Sequence, residues 1–120
     1  MSVEDQLTRV LGAWAAASVV AGLALSMDPR TRGFGRQTAA WGAVDGAIAA
    51  VGVRGRRRKG PTDPARLRRV LLVNAGLDVG YLAVGARLVR GDRWRGDGYA
   101  VLVQGAFLLV LDTTAARRLR

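Results

Sequence analysis

Four apolar stretches alternate along the chain with short segments that carry most of the charge. Each stretch reaches or approaches the roughly 20 residues that a helix needs to cross a bilayer. The stretches lack the polar face that a helix of a soluble bundle presents to water. We therefore predict an all-α fold, with one domain over residues 1–120 that forms a bundle of four transmembrane helices with spans at about 7–27, 37–53, 70–89 and 99–116.

Turn and cap residues support these boundaries. Pro29 follows the first stretch and cannot continue a helix in the usual way. Asp63-Pro64 is typical of a helix N-cap followed by proline at the first helical position. Asp97-Gly98 comes ahead of the fourth stretch, and residues 54–69 form a basic connection between the second and third.

Short fragments recur in the two halves of the chain. Gly42 follows Gly35 at the same spacing as Gly105 follows Gly98. The other matching fragments are Arg9-Val10-Leu11 with Arg69-Val70-Leu71, and Gly33-Phe34-Gly35 with Gly96-Asp97-Gly98. This repeat predicts two hairpins of the same orientation, related by an axis along the membrane normal. The alternative is chance similarity between sequences rich in Ala and Gly.

The charge distribution predicts an orientation. The chain has 19 Lys and Arg residues and a formal net charge of +10, and most of the basic residues lie in the middle connection and at the termini. The positive-inside rule then places both termini and residues 54–69 in the cytoplasm, in a multi-pass protein of the inner (plasma) membrane. The densest basic block is expected to contact anionic lipid headgroups; it consists of Arg56, Arg57, Arg58 and Lys59. Nucleic-acid binding is not expected, because the block is short, lies between two spans and has no interleaved aromatic residue.

The amino-acid composition limits the kinds of chemical site that the chain can form. Cysteine and histidine are absent, which excludes disulfides and removes the usual ligands of zinc, haem and iron–sulfur clusters. No phosphate-binding loop, nucleophile elbow or metal-ligand spacing occurs. We expect no cofactor, no metal and no enzymatic activity, with a lipid-modifying membrane enzyme as a remaining alternative.

Two aspartates lie near the middle of apolar stretches. Asp45 is flanked by Gly42 and Gly46, and Asp78 by Gly76 and Gly80. An ionised carboxylate at this depth costs at least about 2.5–3.5 kcal/mol, so it needs a partner or a function. Helical periodicity places Asn74 and Tyr81 on the same helix face as Asp78. Gln104 falls near the depth of the two aspartates and Asn74 closer to the cytoplasm, and the predicted intramembrane polar site is Asp45, Asn74, Asp78, Tyr81 and Gln104.

Two interpretations of these polar residues remain open. In the structural one, Asn74, Gln104 and the carboxyl groups bond across helices, at about 0.6–2 kcal/mol each. Asp112 would then pair with Arg68 or Arg69 at the cytoplasmic end. In the functional one, Asp45 and Asp78 bind a proton or a small cation, since no Lys or Arg lies at their depth.

Small residues at helical spacing predict close helix contacts. The spacings Gly42/Gly46 and Gly76/Gly80 belong to this class, and Ala13, Ala17 and Ala21 predict a similar face on the first span. Packing inside the monomer is the simplest explanation, and a homodimer or a membrane-protein partner is the alternative.

Three polar-containing fragments carry a resemblance to a known family. They are Trp41-Gly42-Ala43-Val44-Asp45, Asn74-Ala75-Gly76-Leu77-Asp78-Val79-Gly80-Tyr81 and Gln104-Gly105-Ala106-Phe107-Leu108-Leu109-Val110-Leu111-Asp112. In these fragments the chain resembles an uncharacterised family of small bacterial four-helix membrane proteins. The resemblance implies a four-helix membrane fold and brings no activity, and the frequent use of Arg and Ala is typical of a GC-rich bacterial source.

Two functions follow from these observations as hypotheses. The first is a structural or assembly component of the membrane, which interacts with other membrane proteins through its small-residue faces. The alternative is a small proton- or cation-coupled transporter or channel subunit that uses the intramembrane aspartates.

Overall fold

The computed structural model describes residues 2–119 as four helices in two antiparallel hairpins. The helices are α1 (Val3–Ser26), α2 (Arg32–Lys59), α3 (Pro64–Arg90) and α4 (Arg95–Arg118), and the described residues contain no strand. Met1 and Arg120, the ends of the predicted domain, lie outside these residues. The predicted all-α, four-helix fold is confirmed.

The hairpins pair α1 with α2 and α3 with α4 along their lengths. They meet mainly through α2 and α4, and α1 makes a smaller contact with α4. The start of α1, the end of α4 and residues 60–63 lie at one end of the bundle, here called the terminal end, and residues 27–31 and 91–94 lie at the other, the loop end. The bundle is 45 Å long, close to the roughly 40–45 Å of a bilayer with its headgroups.

Apart from the end of α1 at Ser26, the helices extend beyond the predicted spans. The predicted basic connection over residues 54–69 is therefore mostly helical, and only residues 60–63 join α2 to α3. Asp63 caps α3, since its carboxylate accepts a hydrogen bond from the Arg66 N–H at 3.2 Å. Gly60 ends α2 with φ +79° and ψ −176°, a conformation that is open essentially to glycine alone. Asp97 and Gly98 lie inside the first turn of α4 rather than ahead of it.

In contrast to a soluble protein, this bundle buries mainly small apolar residues and exposes large ones. The buried apolar residues are mostly alanines: Leu11, Ala15, Ala49, Leu71, Ala75, Ala100, Val101, Ala115 and Ala116. Large aliphatic side chains point outwards on every helix, for example Val20, Val51, Val73 and Val110. Soluble monomers rarely expose so much contiguous apolar surface, whereas lipid tails solvate it without cost.

Glycines bring the helices of each hairpin into backbone contact. A Cβ at Gly22 would overlap the backbone of Gly35, and a Cβ at Gly35 would overlap that of Gly22. In the second hairpin Gly85 and Gly98 approach each other in the same way. Small residues allow this approach, which maximises van der Waals contact between helices.

The same contacts recur in the two hairpins at one constant shift in residue number. Gly42 lies against Ser18 and Val19, as Gly105 lies against Tyr81 and Leu82. The Gly22/Gly35 and Gly85/Gly98 contacts follow that shift too. The predicted repeat of two hairpins is therefore present in the packing of the helices. The fragments at Arg9 and Arg69 do not follow this shift, so that part of the predicted alignment is wrong.

Two of the predicted small-residue faces point away from the bundle. Ala13, Ala17 and Ala21 are exposed, and α1 packs through Ala15, Ser18 and Gly22 instead. Gly76 and Gly80 are exposed as well, and a Cβ at either position would meet no atom within 4 Å. The Gly76/Gly80 spacing thus plays no part in packing inside the monomer.

The two hairpins cross near the loop end. Gly96 lies against the backbone of Gly33 and Phe34. One residue further on, the buried Asp97 accepts a hydrogen bond from the Gln37 side-chain amide at 3.2 Å. This crossing joins equivalent segments of the two repeats, the start of α2 and the start of α4.

Gly22→Ala is expected to destabilise the protein, because its methyl group would overlap the α2 backbone. Overpacking of this kind costs about 1–3 kcal/mol. Thermal unfolding in a mild detergent should show a lower midpoint for Gly22→Ala. Gly76→Ala is the matched control and should leave the midpoint unchanged or slightly higher, since alanine favours the helix. Equal midpoints for the two variants would contradict the assigned packing.

Candidate functional site

A groove separates α2 from α3 and contains most of the predicted polar site. No Cα atoms of these two helices, both within the described residues, approach within 8 Å. The resulting cavity has a volume of about 440 Å³, with walls from α2 and α3 and a floor from α1 and α4. We call this cavity the acidic groove. Its rim is apolar and exposed, with Val44 and Ile48 on α2 and Val70 and Leu77 on α3.

Three aspartates from three helices line the acidic groove: Asp45 from α2, Asp78 from α3 and Asp112 from α4. Asp45 is 1 % exposed and Asp78 is 2 % exposed. The Oδ2 atom of each has no hydrogen-bond partner within residues 2–119. Both carboxyl groups are therefore buried in the groove with an unused acceptor.

The aspartates interact with each other. The Asp78 and Asp112 carboxyl groups lie within hydrogen-bonding reach, and Asp45 is close enough to both for electrostatic repulsion. Two carboxyl groups this close repel when both are ionised and form a hydrogen bond when one is protonated. The arrangement therefore favours a site that holds a proton or another positive charge.

Among residues 2–119, one basic side chain lines the acidic groove, and it is already paired. Arg56 lies at the terminal end, 3.5 Å from Glu4 and 3.5 Å from Asp5. Glu4 also accepts hydrogen bonds from the Thr62 N–H at 3.0 Å and from the Thr62 hydroxyl at 2.7 Å. This polar cluster ties the start of α1 to the connection between α2 and α3. Arg56 therefore does not neutralise the three aspartates.

Asn74 and Tyr81 lie in the same groove, as predicted for the polar site. Tyr81 meets Trp41 in an edge-to-face contact, with ring centroids 5.0 Å apart. This aromatic pair links α2 and α3 on the loop-end side of the aspartates. Trp41 was absent from the predicted site, although it precedes Asp45 by one helical turn, which is the signal that places both on one face.

Gln104 lies outside the acidic groove, in contrast to the prediction. Its side-chain oxygen accepts a hydrogen bond from the Trp14 indole N–H at 2.7 Å, and its amide donates to the Ser18 hydroxyl at 3.2 Å. Trp14 also stacks on Phe107, with centroids 3.9 Å apart. These contacts join α1 to α4, which is why Gln104 faces away from the aspartates.

The internal repeat explains this difference. The constant shift between the hairpins matches Ser18 with Tyr81 and Trp41 with Gln104. The Trp41–Tyr81 contact is thus the counterpart of the Gln104–Ser18 hydrogen bond. We call the interface between α1 and α4, and the equivalent interface between α2 and α3, the two seams between the hairpins. Side chains fill the α1–α4 seam, whereas the α2–α3 seam is open and forms the acidic groove.

The predicted pairing of Asp112 with Arg68 or Arg69 is not formed. Among residues 2–119, neither arginine makes an ion pair with Asp112, and the Arg68 Nε is buried without a hydrogen-bond partner. Asp112 instead lies beside Asp78, because its helical position faces the groove rather than the end of α3.

The basic block forms the last turn of α2 rather than a loop. Arg57, Arg58 and Lys59 are exposed, whereas Arg56 turns inward to Glu4 and Asp5. Three of the four residues predicted to contact lipid headgroups are therefore exposed. Arg56 differs from the prediction, because its side chain is paired with Glu4 and Asp5.

The aspartates do not form a metal cage. Within the described residues, no group of three or more His, Cys, Asp or Glu side chains is arranged to hold a metal ion. Their carboxyl groups line the walls and the floor of the acidic groove instead.

Comparison with known families identifies the family of this chain. A family of unknown function, DUF6992, matches residues 10–113. The chain belongs to this family. Membership in DUF6992 confirms the resemblance to an uncharacterised family and assigns no activity. No curated protein and no solved structure matched the chain.

The seam between α1 and α4 gives a testable coupling in this DUF6992 protein. Trp14→Phe leaves the buried Gln104 oxygen without its donor, and Gln104→Leu removes the acceptor. Each change is expected to destabilise the protein, and the double variant should cost less than the sum of the two. The expected coupling energy is about 0.6–1.7 kcal/mol, the range for hydrogen bonds between membrane helices. Thermal or denaturant unfolding in detergent measures it, and strict additivity would argue against the hydrogen bond.

Proposed function

We propose that this DUF6992 protein is a small integral membrane transporter that binds and exchanges protons at the acidic groove. The observation that carries the proposal is the set of three aspartate carboxyl groups, from three helices, in one cavity whose basic lining residue among residues 2–119, Arg56, is paired with Glu4 and Asp5. Intramembrane carboxyl groups of this kind are typical of proton and ion pathways.

The membrane setting is supported by length and composition. Three helices, α1, α3 and α4, are long and apolar enough to cross a bilayer. The second helix, α2, carries Asp45 and a basic last turn, and its contacts with α1 and α4 supply the support that its own composition lacks. The exposed aliphatic side chains of all four helices would then face lipid.

The chemistry follows from the neighbours of each carboxyl group. Asp78 interacts electrostatically with Asp45 and lies within hydrogen-bonding reach of Asp112, so a proton bound at Asp78 can be shared with Asp112. A chain of three carboxyl groups along a groove offers successive positions for a proton between the middle of the bundle and its terminal end. Proton relays in membrane proteins use such chains of ionisable residues.

Proton flux into liposomes tests the proposal. With the protein reconstituted, an imposed potential and a pH-sensitive dye inside, the wild type is expected to acidify or alkalinise the lumen faster than empty liposomes. Asp78→Asn should abolish the protein-dependent flux and Asp45→Asn should lower it, because each removes a proton-binding carboxyl group. Asp92→Asn, at an almost fully exposed position, is the control and should behave as the wild type.

A flux equal to that of empty liposomes, or a flux that Asp78→Asn leaves unchanged, would contradict a proton-exchanging groove. Circular dichroism and elution volume in detergent separate this result from misfolding of the variant.

A second candidate function, a structural or assembly component, is favoured by the outward face of α3. Gly76 and Gly80 are exposed at helical spacing and a Cβ there would meet nothing in the monomer. Such a face is typical of contacts between membrane helices. Gly80→Leu would then weaken association with a second copy or another membrane protein, and a purely monomeric wild type with no copurifying partner would argue against this role.

The orientation belongs to the same proposal. The terminal end carries the exposed basic turn of α2, together with Arg117 and Arg118 at the end of α4. The positive-inside rule places this end in the cytoplasm of a cell whose plasma membrane holds the protein. Arg57, Arg58 and Lys59 would then contact anionic lipid headgroups there.

Cysteine labelling tests the orientation cleanly, since the chain has no cysteine of its own. A membrane-impermeant maleimide is expected to label Asp92→Cys in intact cells and Pro61→Cys only after lysis. The first residue lies at the loop end and the second at the terminal end, and both are exposed. Labelling of Pro61→Cys in intact cells would reverse or refute the assigned topology.

A further inference from the structure

The acidic groove has the size and the lining of a ligand site rather than of a narrow proton path. Its volume of about 440 Å³ lies within the range of about 300–1,000 Å³ that is usual for small-molecule sites. A proton path needs no such volume, so the space itself requires an explanation.

The groove opens sideways along its length. Exposed aliphatic residues form both edges, including Val44 and Ile48 on α2 and Leu77 on α3. These residues belong to the surface that faces lipid under the proposed function. A molecule that is dissolved in the bilayer can therefore enter between α2 and α3 without passing through water.

The interior of the groove is set up for a positive charge with hydrogen-bond donors. The Oδ2 atoms of Asp45 and Asp78 are buried and have no partner within the described residues. Carboxylate oxygens accept hydrogen bonds only, so an ammonium group with N–H donors satisfies them. A buried acceptor without a partner costs about 1–3 kcal/mol, more when charged, and a bound ammonium group would recover that cost.

The aromatic pair adds a second feature of cation recognition. Trp41 and Tyr81 line the same groove and contact each other next to the aspartates. Aromatic faces attract cations and also pack against apolar substituents. Carboxyl groups beside aromatic rings, with apolar walls around them, match a molecule that has both a cationic and an apolar part.

The repeat shows that the opening is specific to this seam. On the α1–α4 side, the equivalent space is filled by Trp14, Gln104 and Phe107, which bond and stack with each other. On the α2–α3 side the counterparts of these residues under the repeat are Leu77, Trp41 and Val44, and they line an open cavity instead of filling it. The groove is therefore a difference in packing between the two equivalent seams, and it does not reflect loose packing of the whole bundle.

We propose that the acidic groove binds a lipophilic organic amine, as an ammonium cation that enters from the bilayer between α2 and α3. The inference rests on the proposed function: the bound ammonium group replaces the exchangeable proton at Asp45 and Asp78. Protonation of the aspartates and binding of the amine then exclude each other, which is the condition for exchange of one for the other.

Binding of a matched series of ligands tests the inference. The full chain in lipid nanodiscs is titrated with 4-phenylbutylamine, 4-phenylbutanol and 4-phenylbutyrate, which share one apolar body and differ in charge. Isothermal titration calorimetry, with empty nanodiscs as the reference for partition into lipid, should show saturable binding of the amine alone. Asp78→Asn and Asp45→Asn should each weaken it by about tenfold or more, the loss expected for a charged hydrogen bond, and Asp92→Asn should not.

A second variant keeps the test independent of the aspartates. Ile48→Trp places a large side chain at the exposed rim of the groove and leaves all three carboxyl groups in place. It is expected to block the amine while the protein keeps its fold, measured by circular dichroism and elution volume.

Equal affinity for the amine and the alcohol would overturn the inference, as would amine binding that Asp78→Asn and Ile48→Trp leave unchanged. The outcome also separates the two proposals. Proton flux that depends on Asp78, without saturable amine binding, would refute the amine site and leave the proposed proton exchange in place. Amine binding without proton flux would instead refute proton exchange.

Discussion

Backbone contact between helices at glycine is the constraint on which this structure depends. Lipid tails are as apolar as leucine, so burial of apolar surface does little to hold membrane helices together. In the proposed membrane setting, the Gly22–Gly35 and Gly85–Gly98 contacts replace that driving force with close packing. An interior rich in alanine and glycine follows from this, and large aliphatic side chains are exposed on every helix.

The two hairpins use the same contacts and differ in what lies between them. At the α1–α4 seam, a buried amide, an indole and a serine hydroxyl satisfy one another. At the α2–α3 seam, carboxyl groups lie in a cavity with acceptors left over. In a chain with a formal net charge of +10, acidic side chains concentrated at one open seam are the clearest departure from the repeat.

The helices and the repeat could be predicted from the sequence because each has a local signal. Asp63-Pro64 marks the start of α3 by its own chemistry, and the paired glycines show the repeat directly. The faces of the helices were harder to predict. Ala13, Ala17 and Ala21 resemble a packing face as closely as Ala15, Ser18 and Gly22 do, and only the partner helix decides between them.

The candidate site was predictable in part for the same reason. Asp45 and Asp78 share depth, Asn74 lies one helical turn from Asp78, and all three line one groove. Gln104 shares that depth but faces the other way, because a helix position fixes height along the bundle and leaves the direction to tertiary packing. Asp112 was assigned to a basic partner by height alone, and its nearest charged neighbour is another carboxyl group.

The contact between Gly33 and Gly96 affects how the two hairpins can move against each other. Each hairpin is held together internally by its own glycine contact, whereas the two hairpins touch along α2 and α4 and at the smaller α1–α4 seam. If the groove changes width, these contacts favour a rotation of one hairpin against the other about the Gly33–Gly96 contact, which would act as a pivot. The short connection at residues 60–63, fastened to Glu4 through Thr62, limits how far the ends opposite the pivot can separate.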